Sequence, residues 1–112
     1  METKLKRLML GRFDKISFDF DGTLTMPSVQ RIAQDLVAEG NNVYIISARS
    51  DVSGMTFLAI KLGIPLVNVF ATGSDEAKIN KIRQLNVTKH YDNKVEVIEK
   101  IRPYGVLVKT PF

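Results

Sequence analysis

The 112-residue chain contains no cysteine, which removes disulfides, thiolate zinc sites and cysteine nucleophiles and suits an intracellular setting. Histidine occurs once, as His90, so a histidine-rich metal centre cannot be built and a Ser-His-Asp triad has one histidine to choose. No apolar run approaches bilayer-spanning length. The start, Met1 to Leu10, is basic and then apolar, but its apolar part is too short for a signal peptide and carries no cleavage-site pattern. Repeats, low-complexity tracts and linkers are absent as well. The expectation is a cytoplasmic protein of one domain over residues 1–112, with 1–14 as an N-terminal arm and no membrane partner.

Apolar residues make up 45% of the chain and charged residues 25%, the balance of an ordinary globular protein with a core of its own. Lys and Arg outnumber Asp and Glu by 16 to 12, a net charge of +4. Such a surface attracts anions, phosphorylated substrates or nucleic acid among them, and also serves plain solubility. The densest cationic cluster, Lys4, Lys6, Arg7 and Arg12, is either a solvated arm or a nucleic-acid contact.

Strand and helix signals alternate along the chain. An apolar run from Lys15 ends at Asp19-Phe20-Asp21-Gly22 and reads as a buried strand. Pro27 suits a first helical turn, followed by Val29, Ile32, Ala33, Leu36 and Val37 at helical spacing and closure at Gly40. Val43-Tyr44-Ile45-Ile46 is a second strand ending at Ser47. A helix from about Asp51 turns Met55, Leu58, Ala59 and Leu62 inward and stops at Gly63 and Pro65. Leu66 to Phe70 reads as a third strand. Ser74 is an N-cap for a helix with Asp75 and Glu76 in its first turn and Ile79, Ile82 and Leu85 on one face. A strand at Lys89-His90-Tyr91 leads to Asp92, a helix carries Val95, Ile98 and Ile101, and Val106-Leu107-Val108 closes the series.

Repeated β-α units with apolar strands predict a parallel sheet covered by helices on both faces. Ligands of such sheets bind at the carboxyl ends of the strands, where strand order reverses. Asp19, Asp21, Ser47, Lys78 and Asp92 are all expected at that edge. Asp19 and Asp21, two apart on a strand, would share a face. Like charges that close require a cation or an exchangeable proton between them, so the pair points to metal binding or to acid/base and nucleophilic work. The competing reading is a solvated strand end with an Asp-Gly turn.

From Ile16 to Val108 the chain resembles the haloacid dehalogenase superfamily of phosphohydrolases, through four ordered motifs. Phe18-Asp19-Phe20-Asp21-Gly22-Thr23 matches the first in full. Val43 to Ser47 matches the second, with Ala48-Arg49 giving the Ser-x-Arg of several members. Lys78 is the third, Lys81 being the lesser candidate. His90-Tyr91-Asp92-Asn93 with Glu96 is the fourth, although many relatives carry a second acid where this chain has Asn93. The resemblance implies an α/β fold: a Rossmann-like three-layer α/β/α sandwich on a mostly parallel five-stranded sheet. No cap domain is expected, since helices and strand consume the spans Asp19 to Ser47 and Ser47 to Lys78.

It also implies a chemistry. Asp19 would attack phosphorus and form an aspartyl-phosphate. Asp21, its pKa raised by crowding, would protonate the leaving oxygen and later activate water. Ser47 and Lys78 would bind the phosphoryl oxygens, and Gly22, Thr23 and Arg49 would contact substrate. Mg²⁺ would be held by Asp19, Asp21 through its main-chain carbonyl, and Asp92. Phe18 and Phe20 are expected in the core, and His90 packed at its strand end. Capless relatives act on macromolecular or terminal phosphates, or gain a lid by oligomerising. The partner expected is therefore a phosphorylated small molecule or nucleic-acid end, with a homo-oligomer as the alternative source of a lid. A non-catalytic phosphate-binding domain on the same scaffold is the reading from a different class.

Overall fold

In the computed structural model, which describes residues 14–109, a five-stranded sheet runs through the middle of the chain. The strands are β1 (Lys15–Phe18), β2 (Asn42–Ser47), β3 (Val69–Ala71), β4 (Lys89–Asp92) and β5 (Gly105–Leu107). Their spatial order is β3-β2-β1-β4-β5, and every pairing is parallel. The chain moves outward from β1 through β2 to β3, then crosses back to β4 beside β1. Strand order therefore reverses between β1 and β4, and a crevice opens beyond their carboxyl ends.

Four helices make the crossovers: α1 (Pro27–Ala38), α2 (Met55–Leu62), α3 (Asp75–Gln84) and α4 (Val95–Lys100). One core cluster joins Ile16, Phe18, Val43 and Ile45 of the sheet to Val29 and Ala33 of α1 and Met55, Ala59 and Leu62 of α2. The other joins Tyr44 and Ile46 to Ile79 and Ile82 of α3 and Val97 beside Ile101 at the end of α4. Alternate residues of β2 thus feed opposite faces, as strand periodicity requires. The result is the three-layer α/β/α sandwich, fully parallel where the sequence allows a mixed sheet. Pro27 opens α1 at its first turn, and the Ser74 hydroxyl accepts the Ala77 N–H at 3.0 Å to cap α3.

Several boundaries differ from the sequence expectation. β1 stops at Phe18, and an irregular turn occupies Phe20–Leu24, with Gly22 at φ 74°. Helix α2 begins at Met55 rather than near Asp51, because the Asp51 carboxylate accepts the Ser53 N–H at 2.9 Å and Gly54 adopts φ 78°. Leu66–Asn68 form a tight 3₁₀ turn, leaving only Val69–Ala71 in β3. Asn68 is diverted there: its side-chain amide donates to the Val43 carbonyl at 3.0 Å. Ile32 and Val95, placed inward by periodicity, are exposed, and Val97 takes the inward position on α4. β5 runs Gly105–Leu107, one residue earlier than expected. Lys4, Lys6, Arg7 and Arg12 lie outside the described residues. No helix among the described residues is long and apolar enough to cross a membrane.

Candidate active site

Asp19 follows β1 directly, and its backbone N–H donates to the Tyr91 carbonyl of β4 at 2.9 Å. That bond seats it beside the carboxyl end of β4, where Asp92 is fully buried. Lys78 reaches the same point from the first turns of α3. Its ammonium donates to Asp19 Oδ1 at 3.1 Å and to Asp92 Oδ2 at 2.9 Å, with the whole residue 1% exposed. A lysine thus lies between Asp19 and Asp92, whereas the cation or proton expected from the sequence belongs between Asp19 and Asp21. The alternative Lys81 packs its ammonium 4.7 Å from the Phe70 ring centre.

The two aspartates of the first motif do not share a face. The turn over Phe20–Leu24 ends the strand alternation, so Asp19 is buried while the Asp21 side chain is 57% exposed. They still line one pocket of about 290 Å³, together with Gly22, Ser47, Arg49, Asp75, Lys78, Asn93 and Lys94. Thr23 is buried and its hydroxyl donates to Asp19 Oδ2 at 3.3 Å, while Gly22 N–H donates to Thr25 Oγ1 at 3.2 Å. Gly22 is required twice: its φ is positive, and a β-carbon there would overlap the Asn93 amide nitrogen. Ser47, buried at the end of β2, accepts the Arg49 N–H at 3.0 Å.

Arg49 holds Asp21 in a two-pronged ion pair, Nε to Oδ2 at 2.8 Å and Nη2 to Oδ1 at 2.9 Å. It also donates to the Ser53 carbonyl at 3.1 Å and lies over the Phe20 ring, 5.0 Å from its centre. Phe20 accordingly belongs to the core and supports Arg49 as well. This fork reverses an expectation. The Arg49 hydrogen bonds and charge hold the Asp21 carboxyl below the usual range rather than above it. The raised carboxyl is Asp19, pushed up by burial and by the Asp92 charge against the opposing pull of Lys78. Burial pushes Lys78 down, but the Asp19 and Asp92 charges outweigh it and leave the ammonium above its ordinary value. Burial likewise pushes Asp92 up, and the bond from His90 with the Lys78 charge brings it net below its ordinary value.

Ser17, which the sequence leaves unassigned, and His90, expected packed at its strand end, belong to this network. His90 is fully buried, with Nε2 2.9 Å from Asp92 Oδ2 and Nδ1 2.6 Å from Ser17 Oγ. Burial keeps the imidazole below its ordinary pKa. A carboxylate can only accept, so Nε2 carries the proton and Nδ1 accepts from the Ser17 hydroxyl. Ser17 and His90 are register partners across β1 and β4, and Ser17 lies two residues before Asp19. For Ser17 the available signal was a polar residue interrupting the apolar run of β1. Asp75 and Lys94, bridged at 2.9 Å across the mouth, had none beyond helix-start chemistry. Asp75 Oδ1 is buried without a hydrogen-bond partner, 3.9 Å from the Lys78 ammonium.

The site's charge bears on what it can hold. Asp19, Asp21, Asp75 and Asp92 face Arg49, Lys78 and Lys94, leaving one negative charge in excess. A phosphate dianion entering alone is repelled; a divalent cation reverses the balance. The donors are all oxygens, which suits a hard cation such as Mg²⁺. No cluster of three His, Asp or Glu side chains poised for a metal occurs among the described residues, so such an ion needs main-chain, phosphate or water oxygens beside Asp19 and Asp92.

No family model and no curated protein matches this sequence. A solved structure does match: a Vibrio cholerae protein provisionally assigned as a 3-deoxy-D-manno-octulosonate 8-phosphate phosphatase, at 16% identity and a TM-score of 0.53. The two chains share a fold. The match covers 82% of this chain and 64% of the other, so this chain spans just under two thirds of that structure's length. Sheet order, crossover pattern and a crevice beyond β1 and β4 are what a fold likeness of this kind carries.

Proposed function

We propose that this chain hydrolyses a phosphomonoester through an aspartyl-phosphate on Asp19. The observation that carries the reading is the Lys78 ammonium lodged between Asp19 and Asp92 at the switch point of the sheet. Asp19 Oδ1 is bound to Lys78, which leaves Oδ2, with one long bond from Thr23, to attack phosphorus. A bond forms from Oδ2 to phosphorus as the bond to the leaving oxygen breaks, and Asp21 supplies that oxygen with a proton. Water then attacks the same phosphorus, gives its proton to Asp21, and the bond to Asp19 breaks. Lys78 and Ser47 stabilise the charge that spreads over the phosphoryl oxygens. Asp19, the Asp21 carbonyl and Asp92 would hold Mg²⁺, which would supply charge neutralisation of the incoming dianion.

Arg49 adds a condition. It must let go of Asp21 before that carboxyl can carry a proton near neutral pH, and an anionic group of the substrate is the natural competitor for its guanidinium. The open pocket and the net charge of +4 favour a nucleotide or polynucleotide end as substrate in the cytoplasm. A small monophosphate under a lid lent by a second copy is the variant of this reading. The test is phosphate release from p-nitrophenyl phosphate and from nucleotide and polynucleotide 3′- and 5′-phosphates, with Mg²⁺ or EDTA, in wild type and Asp19→Asn. Mg²⁺-dependent turnover that Asp19→Asn abolishes supports the proposal. Folded, Mg²⁺-binding protein with no turnover supports the second reading, a phosphate-binding domain, which the locked Asp21 and Asn93 in place of an acid favour.

A further inference from the structure

At the opposite edge of the sheet lies a cavity of about 460 Å³, larger than the candidate active-site pocket. It opens where α3 and α4 end and β4 begins. Its floor is apolar: Ile82, Val87 and Ile101 are buried side chains. Its walls carry three cations, Arg83, Lys100 and Arg102, and no acid lines it. Among the described residues, the Lys100 and Arg102 side chains have neither an ion-pair nor a hydrogen-bond partner, and Arg83 spends one N–H on the Lys100 carbonyl at 2.8 Å. Asn86 and Tyr104 offer an amide and a phenol that likewise bond nothing else there, while the Thr88 hydroxyl is already donated to the Lys15 carbonyl at 3.2 Å.

The frame around these groups is fixed. Thr88 N–H donates to the Lys15 carbonyl at 2.8 Å, Val87 N–H to Ile82 at 3.3 Å, and Tyr104 N–H to Ile101 at 2.9 Å, while the Tyr104 carbonyl accepts from His90 N–H at 2.8 Å. Both walls are therefore tied to β1, β4 and the helix ends before any ligand arrives. A volume of this size lies within the range of small-molecule pockets, whose usual make-up is an apolar surface with a few convergent polar groups. Three cations without counterions select an anion of more than one charge. The buried aliphatic floor and the half-exposed Tyr104 ring select a flat, poorly hydrated body attached to it.

We propose that this cavity is a second ligand site, separate from the candidate active site, that takes a nucleoside di- or triphosphate with its phosphates on Arg83, Lys100 and Arg102 and its base over Ile82, Val87, Ile101 and Tyr104. It goes beyond the proposed hydrolysis and does not depend on it. The test is a titration of the full chain with ADP and, separately, with inorganic pyrophosphate, in EDTA, followed by amide chemical shifts. The expected result is saturable ADP-dependent shifts at Asn86, Val87, Thr88, Ile101, Arg102 and Tyr104, with binding weakened about tenfold or more in Lys100→Glu/Arg102→Glu. Pyrophosphate binds the same residues several-fold more weakly than ADP. That double variant changes exposed side chains, so it keeps the wild-type melting temperature and turnover. Shifts confined to Gly22, Ser47 and Lys94 would overturn the proposal, as would unaltered ADP affinity in the double variant, pyrophosphate binding as tight as ADP, or no saturable binding of either probe.

Discussion

Replacing Lys78 by methionine keeps the aliphatic stem and removes the ammonium that Asp19 and Asp92 share at 3.1 and 2.9 Å. Both carboxylates are then buried without a cation within ion-pair distance. Stripping one partner from a buried ion pair costs about 3–5 kcal/mol, against a total stability of roughly 5–15 kcal/mol for a domain of ordinary size. The expected drop in melting temperature is roughly 15–30 °C, read most directly by urea denaturation at pH 7.5 and at pH 5. The sign of the pH dependence is fixed by Asp19. Its folded-state pKa already lies above the ordinary value through burial and the Asp92 charge, and loss of Lys78 raises it further. An acid with a raised folded pKa costs no stability below its unfolded pKa of about 3.9 and imposes the full cost once pH exceeds the folded value. The deficit of Lys78→Met is therefore larger at pH 7.5 than at pH 5. Adding Asp19→Asn to Lys78→Met recovers part of it, since one of the uncompensated charges is gone. A loss below about 1 kcal/mol, a loss independent of pH, or a double variant no more stable than Lys78→Met refutes the electrostatic account and leaves only packing.

Asp19→Asn alone melts higher than wild type at pH 7, and the gap closes as pH falls through the raised folded pKa, because the ionised Asp19 carries a cost that Asn lacks. Arg49→Ala releases Asp21 from the guanidinium that holds its pKa down; the alkaline limb of the pH–rate profile moves upward while thermal stability, set elsewhere, stays near wild type. Gly22→Ala forces a β-carbon into φ 74° and onto Asn93, so it lowers stability by roughly 1–2 kcal/mol and displaces Asn93 from the pocket, visible as a fall in turnover larger than the fall in stability explains.

The β-α alternation and the parallel sheet were legible because the first strands are short apolar runs closed by a polar residue, and a parallel sheet puts those closures on one edge. That argument is topological, and it tolerates errors of several residues, such as the late start of α2 and the shortened β3. What it could not supply was the partnering of charges. Nothing in the spacing of Asp19 and Asp21 says that the strand stops at Phe18 and an irregular turn follows, because Gly22 acts through a backbone angle and through a contact with Asn93, 71 positions away in sequence. Nor does the order of motifs say that Arg49 reaches Asp21 with both prongs, since a bidentate ion pair depends on two loops meeting in space. The consequence is a reversal of roles in the electrostatics. The resemblance implies a carboxyl raised by crowding at Asp21, whereas burial, which sequence does not measure, raises Asp19. Under the proposed hydrolysis, the acid that would ionise to attack is the one whose charge the fold disfavours, and the acid that would carry a proton is the one whose charge the fold favours. On that proposal both mismatches would be relieved together, by an anionic substrate drawing Arg49 from Asp21 while a cation joined Asp19. The site would then stay idle until substrate and cation were both present, which makes the pH–rate profile of Arg49→Ala the measurement most sensitive to whether the fork is a latch or an ornament.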